Sequence, residues 1–167
     1  FGINFSCYYL LLLGQVKNVF KDEELRLYLT IFFGATALIV LNLRTFYDTL
    51  EETIRHAAFT VSTIITTTGF ATTDFDLWPS FSKAILLCLM VVGACAGSTG
   101  GGLKIARMML IFKSLRRNIR QTLNPKKVQV IKNNDAVVSE KVLENTHAYL
   151  AAYIIILFVS FVLVSLD

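Results

Sequence analysis

Long apolar runs alternate along this chain with short charged or glycine-rich interruptions. Phe5 to Leu13 is apolar and ends at Gly14. A charged stretch, KNVFKDEELR (Lys17–Arg26), follows, and Leu27–Leu43 then runs seventeen residues without a charge. At about 1.5 Å per residue that is the short end of a bilayer-spanning helix. Arg44–Arg55 is mixed in charge, with Glu51 and Glu52 where a helix N-terminus favours negative charge. Ala57–Thr73 is again uncharged, but Thr60, Ser62, Thr63, Thr66, Thr67 and Thr68 crowd it, unlike a lipid-facing helix. ITTTGF (Ile65–Phe70) ends the helix, with Gly69 free to adopt positive φ. A half-length helix followed by a Thr/Gly turn predicts a re-entrant segment that enters the membrane, turns and leaves by the same side. Such backbone persists at membrane depth only where it lines an aqueous path or is buried in protein.

After TTDFDLWP (Thr72–Pro79), in which Trp78 fits an interfacial anchor, Phe81–Val92 is apolar apart from Ser82 and Lys83. Then comes VGACAGSTGGGLKIA (Val92–Ala106), and Leu103–Leu115 resumes a helical, now basic, pattern. Neither apolar piece spans a bilayer alone, whereas together they do. The glycine run is therefore expected at mid-membrane, inside a broken helix. Asn124-Pro125 stops the second piece. Lys126–Val142 alternates as a strand does, which predicts a small aqueous β-hairpin around Asn133-Asn134-Asp135. Ala148–Leu166, nineteen apolar residues, is a further span.

Composition places the chain in a membrane: 54% of its residues are hydrophobic and 17% charged. The net charge of +4 is unevenly spread. Lys113, Arg116, Arg117, Arg120, Lys126, Lys127 and Lys132 fall in one stretch without an Asp or Glu. By the positive-inside rule this stretch is cytoplasmic. Counting back, Asp74 and Asp76 are outside, the re-entrant segment opens outward, and Lys17–Arg26 is inside. A basic loop flanking a span also accounts for the cluster without a nucleic-acid partner. Cys7, Cys88 and Cys95 lie in apolar stretches and read as small buried residues, not metal ligands or a disulfide. With no initiating Met and an apolar run stopping at Asp167, the chain reads as an internal segment of a longer protein.

Two elements carry chemistry. A dehydrated alkali cation needs several oxygen ligands, and potassium filters supply them as backbone carbonyls, with glycine letting the backbone turn. Thr66-Thr67-Thr68-Gly69-Phe70, between a half helix and a second span, fits that role; a Thr-rich helix end with a glycine cap is the plainer alternative. The second element is the glycine run. A phosphate-binding loop fails, because Leu103 intervenes before Lys104 and Ile105 stands where the magnesium-binding hydroxyl belongs. Helix packing through Gly93 and Gly97 is a fairer alternative, but GSTGGG is long enough to break the helix. An unwound loop on the intracellular side of a filter has a functional reading: it obstructs or clears the permeation path.

TTTGFATTDFDLWP followed by GACAGSTGGGLKIARM resembles the Trk/Ktr/HKT superfamily of potassium transporters, especially bacterial Trk-type membrane subunits. The resemblance implies an all-α membrane fold of M1–P–M2 potassium-channel-like repeats, each with a re-entrant pore helix, around one pore. The third repeat has a broken second helix and a glycine-rich gate loop. By position, 1–24 closes the second repeat, 25–123 is the third, 124–147 is the cytoplasmic hairpin linker, and 148–167 begins the fourth. Thr67, Thr68, Gly69 and Phe70 would form one filter strand, with potassium held at the backbone of Thr67, Thr68 and Gly69. Gly93, Ala94, Cys95, Ala96, Gly97, Ser98, Thr99, Gly100, Gly101 and Gly102 would form the gate loop, and Lys104 and Arg107 its cytoplasmic exit. Ala94 stands where the family pattern leads one to expect Gly.

The implied function is potassium uptake in the bacterial inner membrane by conduction through a carbonyl-lined filter, without a cofactor. The other repeats of the full-length chain, a second copy, surrounding lipid and a cytoplasmic nucleotide-binding regulatory ring of the TrkA/KtrA kind are the implied partners. The nucleotide would sit on the ring. No nucleophile–base pair is visible, so no enzyme is expected. A sodium-permeable or sodium-coupled cation transporter, symport included, is the alternative; ion coupling predicts an intramembrane carboxylate, whereas every Asp and Glu reads as lying at an aqueous end. Asp74 and Asp76 read as outer-mouth carboxylates, His56 as structural and His147 as interfacial.

Overall fold

The computed structural model describes residues 2–123, 130–134 and 136–166, and these are mostly helical. They fall into two units, 1–106 and 107–167.

In the first unit, α1 (Phe5–Leu12) and α2 (Val16–Lys21) are short and lead into α3 (Glu23–Asn42). The side chain of Asp22 caps α3 by accepting the Leu25 N–H at 2.8 Å, and Glu23 and Glu24 occupy the first turn. The helix thus starts four residues before the uncharged run. Thr49 caps α4 (Leu50–Ile65) in the same way, accepting from Glu52 N–H at 3.3 Å. A 3₁₀ turn (Phe75–Leu77) precedes α5 (Ser80–Val92), and α6 (Ile105–Leu123) begins at the end of this unit.

The core of the unit lies where α3, α4 and α5 meet. Ala57, Val61 and Ile65 recur at helical spacing on α4 and pack with Ile39, Leu43, Leu86 and Leu89. Three hydroxyls of this segment sit in these apolar surroundings because the helix satisfies them itself, whereas the buried Thr63 Oγ1 has no hydrogen-bond partner among the described residues. Thr53, Ser62 and Thr66 donate to the carbonyls of Thr49, Ala58 and Ser62. Trp78 belongs to this core at 2% exposure. Its Nε1 donates to Tyr47 Oη at 3.1 Å, so the expected interfacial anchor is instead a buried pin for the α4–α5 connection. His56 serves the same connection: it stacks on Tyr47 with ring centroids 5.2 Å apart, and its Nδ1 lies 3.2 Å from Thr72 Oγ1.

In the second unit, α6 and α7 (Glu140–Val164) pack antiparallel around Leu110, Ile131 and Leu143. The Arg107 guanidinium lies 4.1 Å from the Tyr149 ring centroid, Ser114 Oγ is 3.1 Å from His147 Nε2, and Arg117 pairs bidentately with Glu140. Strands β1 (Lys132–Asn133) and β2 (Ala136–Val137) form a two-stranded antiparallel hairpin, with Asn134 in the left-handed region at φ 46°. The hairpin is shorter than the Lys126–Val142 alternation predicts. Lys126, Lys127, Val128, Gln129 and Asp135 lie outside the described residues, and Glu140 already starts α7. α7 therefore begins eight residues before the apolar run at Ala148. Among the described helices, α3 and α7 are long and apolar enough to cross a membrane.

Candidate functional site

The site is built from two non-helical segments that touch: the turn after α4 and the excursion between α5 and α6. Helix α4 closes with a Schellman motif. Thr68 N–H donates to Thr63 C=O at 2.9 Å and Thr67 N–H to Ile64 C=O at 3.1 Å. That motif needs a left-handed residue, and here it is Thr67 at φ 55°. The sequence expectation assigned this role to Gly69. Gly69 is also left-handed, at φ 82°, but it lies two residues further along, in the segment leaving the turn. A β-branched residue in this region is strained by roughly 1–3 kcal/mol and persists only where its surroundings hold it. Two bonds do so. Gly101 N–H donates to Thr67 Oγ1 at 2.9 Å, and Thr66 and Thr68 join hydroxyls at 2.7 Å. Phe70 is 71% exposed. It lines two open clefts of about 390 and 280 Å³ on either side of the turn, shared with Thr66 and Thr68 on one side and Thr67 and Gly69 on the other.

The excursion Gly93–Lys104 is pinched at its base. Leu103, Lys104 and Ile105 donate their N–H groups to the carbonyls of Val91, Val92 and Ala94, at 3.1, 3.1 and 3.0 Å. The end of α5 and the start of α6 thereby satisfy each other's orphan groups, and the intervening residues leave the helix line as a closed loop. The pinch needs glycine. A Cβ on Gly93 would stand 2.3 Å from Gly101 O, and one on Gly102 would stand 2.8 Å from Gly93 Cα. Both residues are also left-handed, at φ 71° and 81°. Gly93 and Gly97 are both outside helices, which removes the helix-packing alternative. Ala94, the departure from the expected pattern, is fully buried and has no left-handed φ, so nothing there requires glycine.

The loop is also fastened within itself and to its neighbours. Lys104 Nζ donates to the carbonyls of Ser98 and Gly100. Ser98 Oγ donates to Cys95 C=O at 2.6 Å. Lys104, where the loop ends, thus reaches back into the loop. Cys95 N–H donates to Gly2 C=O at 3.0 Å, and Gly97 C=O accepts from Phe5 N–H at 3.1 Å. Asp74 and Asp76 are exposed, and Asp74 Oδ1 caps the 3₁₀ turn by accepting Asp76 N–H at 3.0 Å.

One residue of the site escaped sequence reading. Glu24, in the first turn of α3, is buried within the protein at 8% exposure. Its Oε1 accepts from the Ala96 and Ala106 N–H groups, at 2.5 and 3.2 Å. The partners lie 72 and 82 residues away, so the only local signal is a second Glu at the start of a span, indistinguishable from an ordinary first-turn charge. Among the described residues no three His, Cys, Asp or Glu side chains gather as a metal site.

Residues 18–167 match the family model described as "TrkH: Cation transport protein". The chain is 35% identical over 162 residues to the Trk system potassium uptake protein TrkH of Escherichia coli K12, covering 95% of this chain and 34% of that protein. It is 33% identical over 151 residues to the TrkH of Halomonas elongata, covering 89% of this chain and 31% of the relative. The crystal structure of the potassium transporter TrkH from Vibrio parahaemolyticus superposes with a TM-score of 0.87 at 29% identity, over 95% of this chain and 35% of the other. The chain thus spans about a third of the length of the relatives it matches.

Proposed function

Because the chain belongs to the TrkH family of cation transport proteins, multi-pass proteins of the inner membrane and not enzymes, we propose that it is the third of four M1–P–M2 repeats of a potassium uptake pore. In this reading α3 is M1, α4 is the pore helix, and α5 and α6 are the two halves of a broken M2. Thr67, Thr68, Gly69 and Phe70 give one filter strand, and potassium is the substrate, met by the carbonyls of Thr67, Thr68 and Gly69. Carbonyl ligation of a bare cation requires more oxygens than one strand supplies, so the remaining repeats complete the ring. No covalent step and no cofactor enter. The ion moves down its electrochemical gradient, and the 93–102 loop with Lys104 obstructs or clears the path. The segment 124–147 is the linker to the fourth repeat, which 148–167 begins. A homodimer resting on a nucleotide-binding cytoplasmic ring, met by the basic end of α6 and the hairpin, is the assembly this reading implies.

The observation that carries the proposal is the 2.9 Å bond from Gly101 N–H to Thr67 Oγ1. It joins the glycine loop to the residue whose left-handed backbone sets the course of the TTTGF turn. Ion coupling through a carboxylate is less well supported. Glu24, the buried carboxylate of the site, spends one oxygen on two backbone N–H donors and has no acidic cluster around it among the described residues. The test is potassium-limited growth of an uptake-deficient bacterium carrying the full-length protein, together with rubidium flux into proteoliposomes. Removing Gly97–Gly102 should raise flux and weaken regulation; unaltered gating would reduce the loop to packing.

A further inference from the structure

We propose that Glu24 is the positioning residue that fixes the 93–104 loop in its obstructing conformation, through one carboxylate oxygen that ties both ends of the loop to α3. This rests on the reading of that loop as the gate. Ala96 leads the chain into the excursion, and Ala106 is the second residue of α6, just after the excursion closes. Their N–H groups converge on Glu24 Oε1. Ala106 N–H is one of the orphan donors at a helix N-terminus, where a negative charge is favoured by both hydrogen bonding and the helix dipole. Ala96 N–H has no helical partner because the backbone has left α5. A single anion on a neighbouring helix thus supplies what the break in M2 removed.

The remaining fastenings have a different character. Lys104 ties Ser98 and Gly100 within the loop, so it stiffens the loop without anchoring it. Thr67, Gly2 and Phe5 hold the loop through neutral hydrogen bonds. Charged hydrogen bonds are roughly twice as strong as neutral ones, so the Glu24 tie is the strongest single fastening of the loop. It also lies at the base of the loop, where release frees the whole excursion as one internally bonded body. Glu24 sits in the first turn of α3, within the charged Lys17–Arg26 stretch, so a movement of that stretch would act on the loop through this one side chain.

Cys95 is a native reporter. It is 1% exposed and adjacent to Ala96. In the full-length protein with every other cysteine replaced by alanine, maleimide labelling of Cys95 is compared with Glu24→Gln and Glu24→Ala, alongside rubidium flux and the potassium-to-sodium flux ratio. Loss of the charged bonds should speed labelling about tenfold in Glu24→Ala, and less in Glu24→Gln, which keeps an acceptor oxygen. Flux should rise in the same order while the flux ratio stays constant. Unchanged labelling in Glu24→Ala overturns the proposal. Faster labelling with unchanged flux keeps the tie but removes the gate reading beneath it. A flux increase on loop shortening with none in the Glu24 variants keeps the gate and removes the tie. A Glu24→Gln protein that does not fold makes the residue a fold determinant and also overturns the proposal.

Discussion

An alanine series along the glycine loop separates two reasons for glycine that sequence alone confounds: a left-handed backbone and lack of room. Gly14 and Gly93 have almost the same φ, 73° and 71°, but nothing lies within 4 Å of a Cβ built on Gly14, while one on Gly93 falls 2.3 Å from Gly101 O. Gly14→Ala therefore measures the backbone term alone, about 1–2 kcal/mol. Gly93→Ala adds a clash with a carbonyl that must retreat by about 1 Å to reach ordinary contact. That carbonyl sits beside the pinch formed by Leu103, Lys104, Val91 and Val92, and the pinch opens with it. Two backbone hydrogen bonds at about 1 kcal/mol each bring the total to roughly 3–4 kcal/mol. Gly97→Ala meets the Asn4 side-chain amide, whose Oδ1 caps α1 by accepting Ser6 N–H, so displacing it adds about 1 kcal/mol to the backbone cost seen in Gly14→Ala. Gly101→Ala has no left-handed φ and its nearest neighbour is Thr67 Cγ2 at 3.5 Å, so it is neutral or slightly stabilising. Apparent melting temperatures of the purified full-length protein should rank Gly101→Ala at or above wild type, then Gly14→Ala, then Gly97→Ala, with Gly93→Ala lowest. A Gly93→Ala protein as stable as Gly14→Ala would refute the close-approach reasoning.

Thr67→Val keeps the strained β-branched backbone but removes the acceptor of the Gly101 N–H. It should cost about 1–2 kcal/mol and alter rubidium flux, whereas Thr66→Val, which loses only the hydroxyl bonds to Ser62 and Thr68, should leave flux closer to wild type in the same proteoliposomes. Gly69→Ser has open space around it, so it should fold, yet its φ of 82° shifts the carbonyls; potassium-to-sodium flux ratios should fall, and an unchanged ratio would count against the filter assignment. Trp78→Phe keeps a core ring but removes the bond to Tyr47 Oη, which retains Thr73 Oγ1 at 3.2 Å, lowering stability by about 1 kcal/mol without changing the flux ratio. Thr49→Ala removes the cap of α4 and should lower thermal stability by about 1 kcal/mol, read by the same melting assay.

Hydropathy and charge determined much of the scaffold: the apolar runs that became α3, α5 and α7, the first turn of α4 at Glu51 and Glu52, and the helix break in the glycine run. These features depend on residues within one or two turns of each other, and sequence spacing encodes such neighbours directly. Family resemblance added the assignments of filter and gate, which composition alone left beside a capping alternative. Tertiary structure decided the rest. Thr67, not Gly69, takes the left-handed position after α4, because Gly101 offers its N–H to the threonine hydroxyl from 34 residues away. Trp78 is buried because Tyr47 is placed to accept its N–H. Gly93 and Gly102 are glycines chiefly because two backbone segments cross there. Glu24 is part of the site because a broken helix 72 residues on leaves N–H groups that only a long-range partner satisfies. Each is a contact between segments distant in sequence, and no local pattern of polar and apolar residues specifies which distant segments meet.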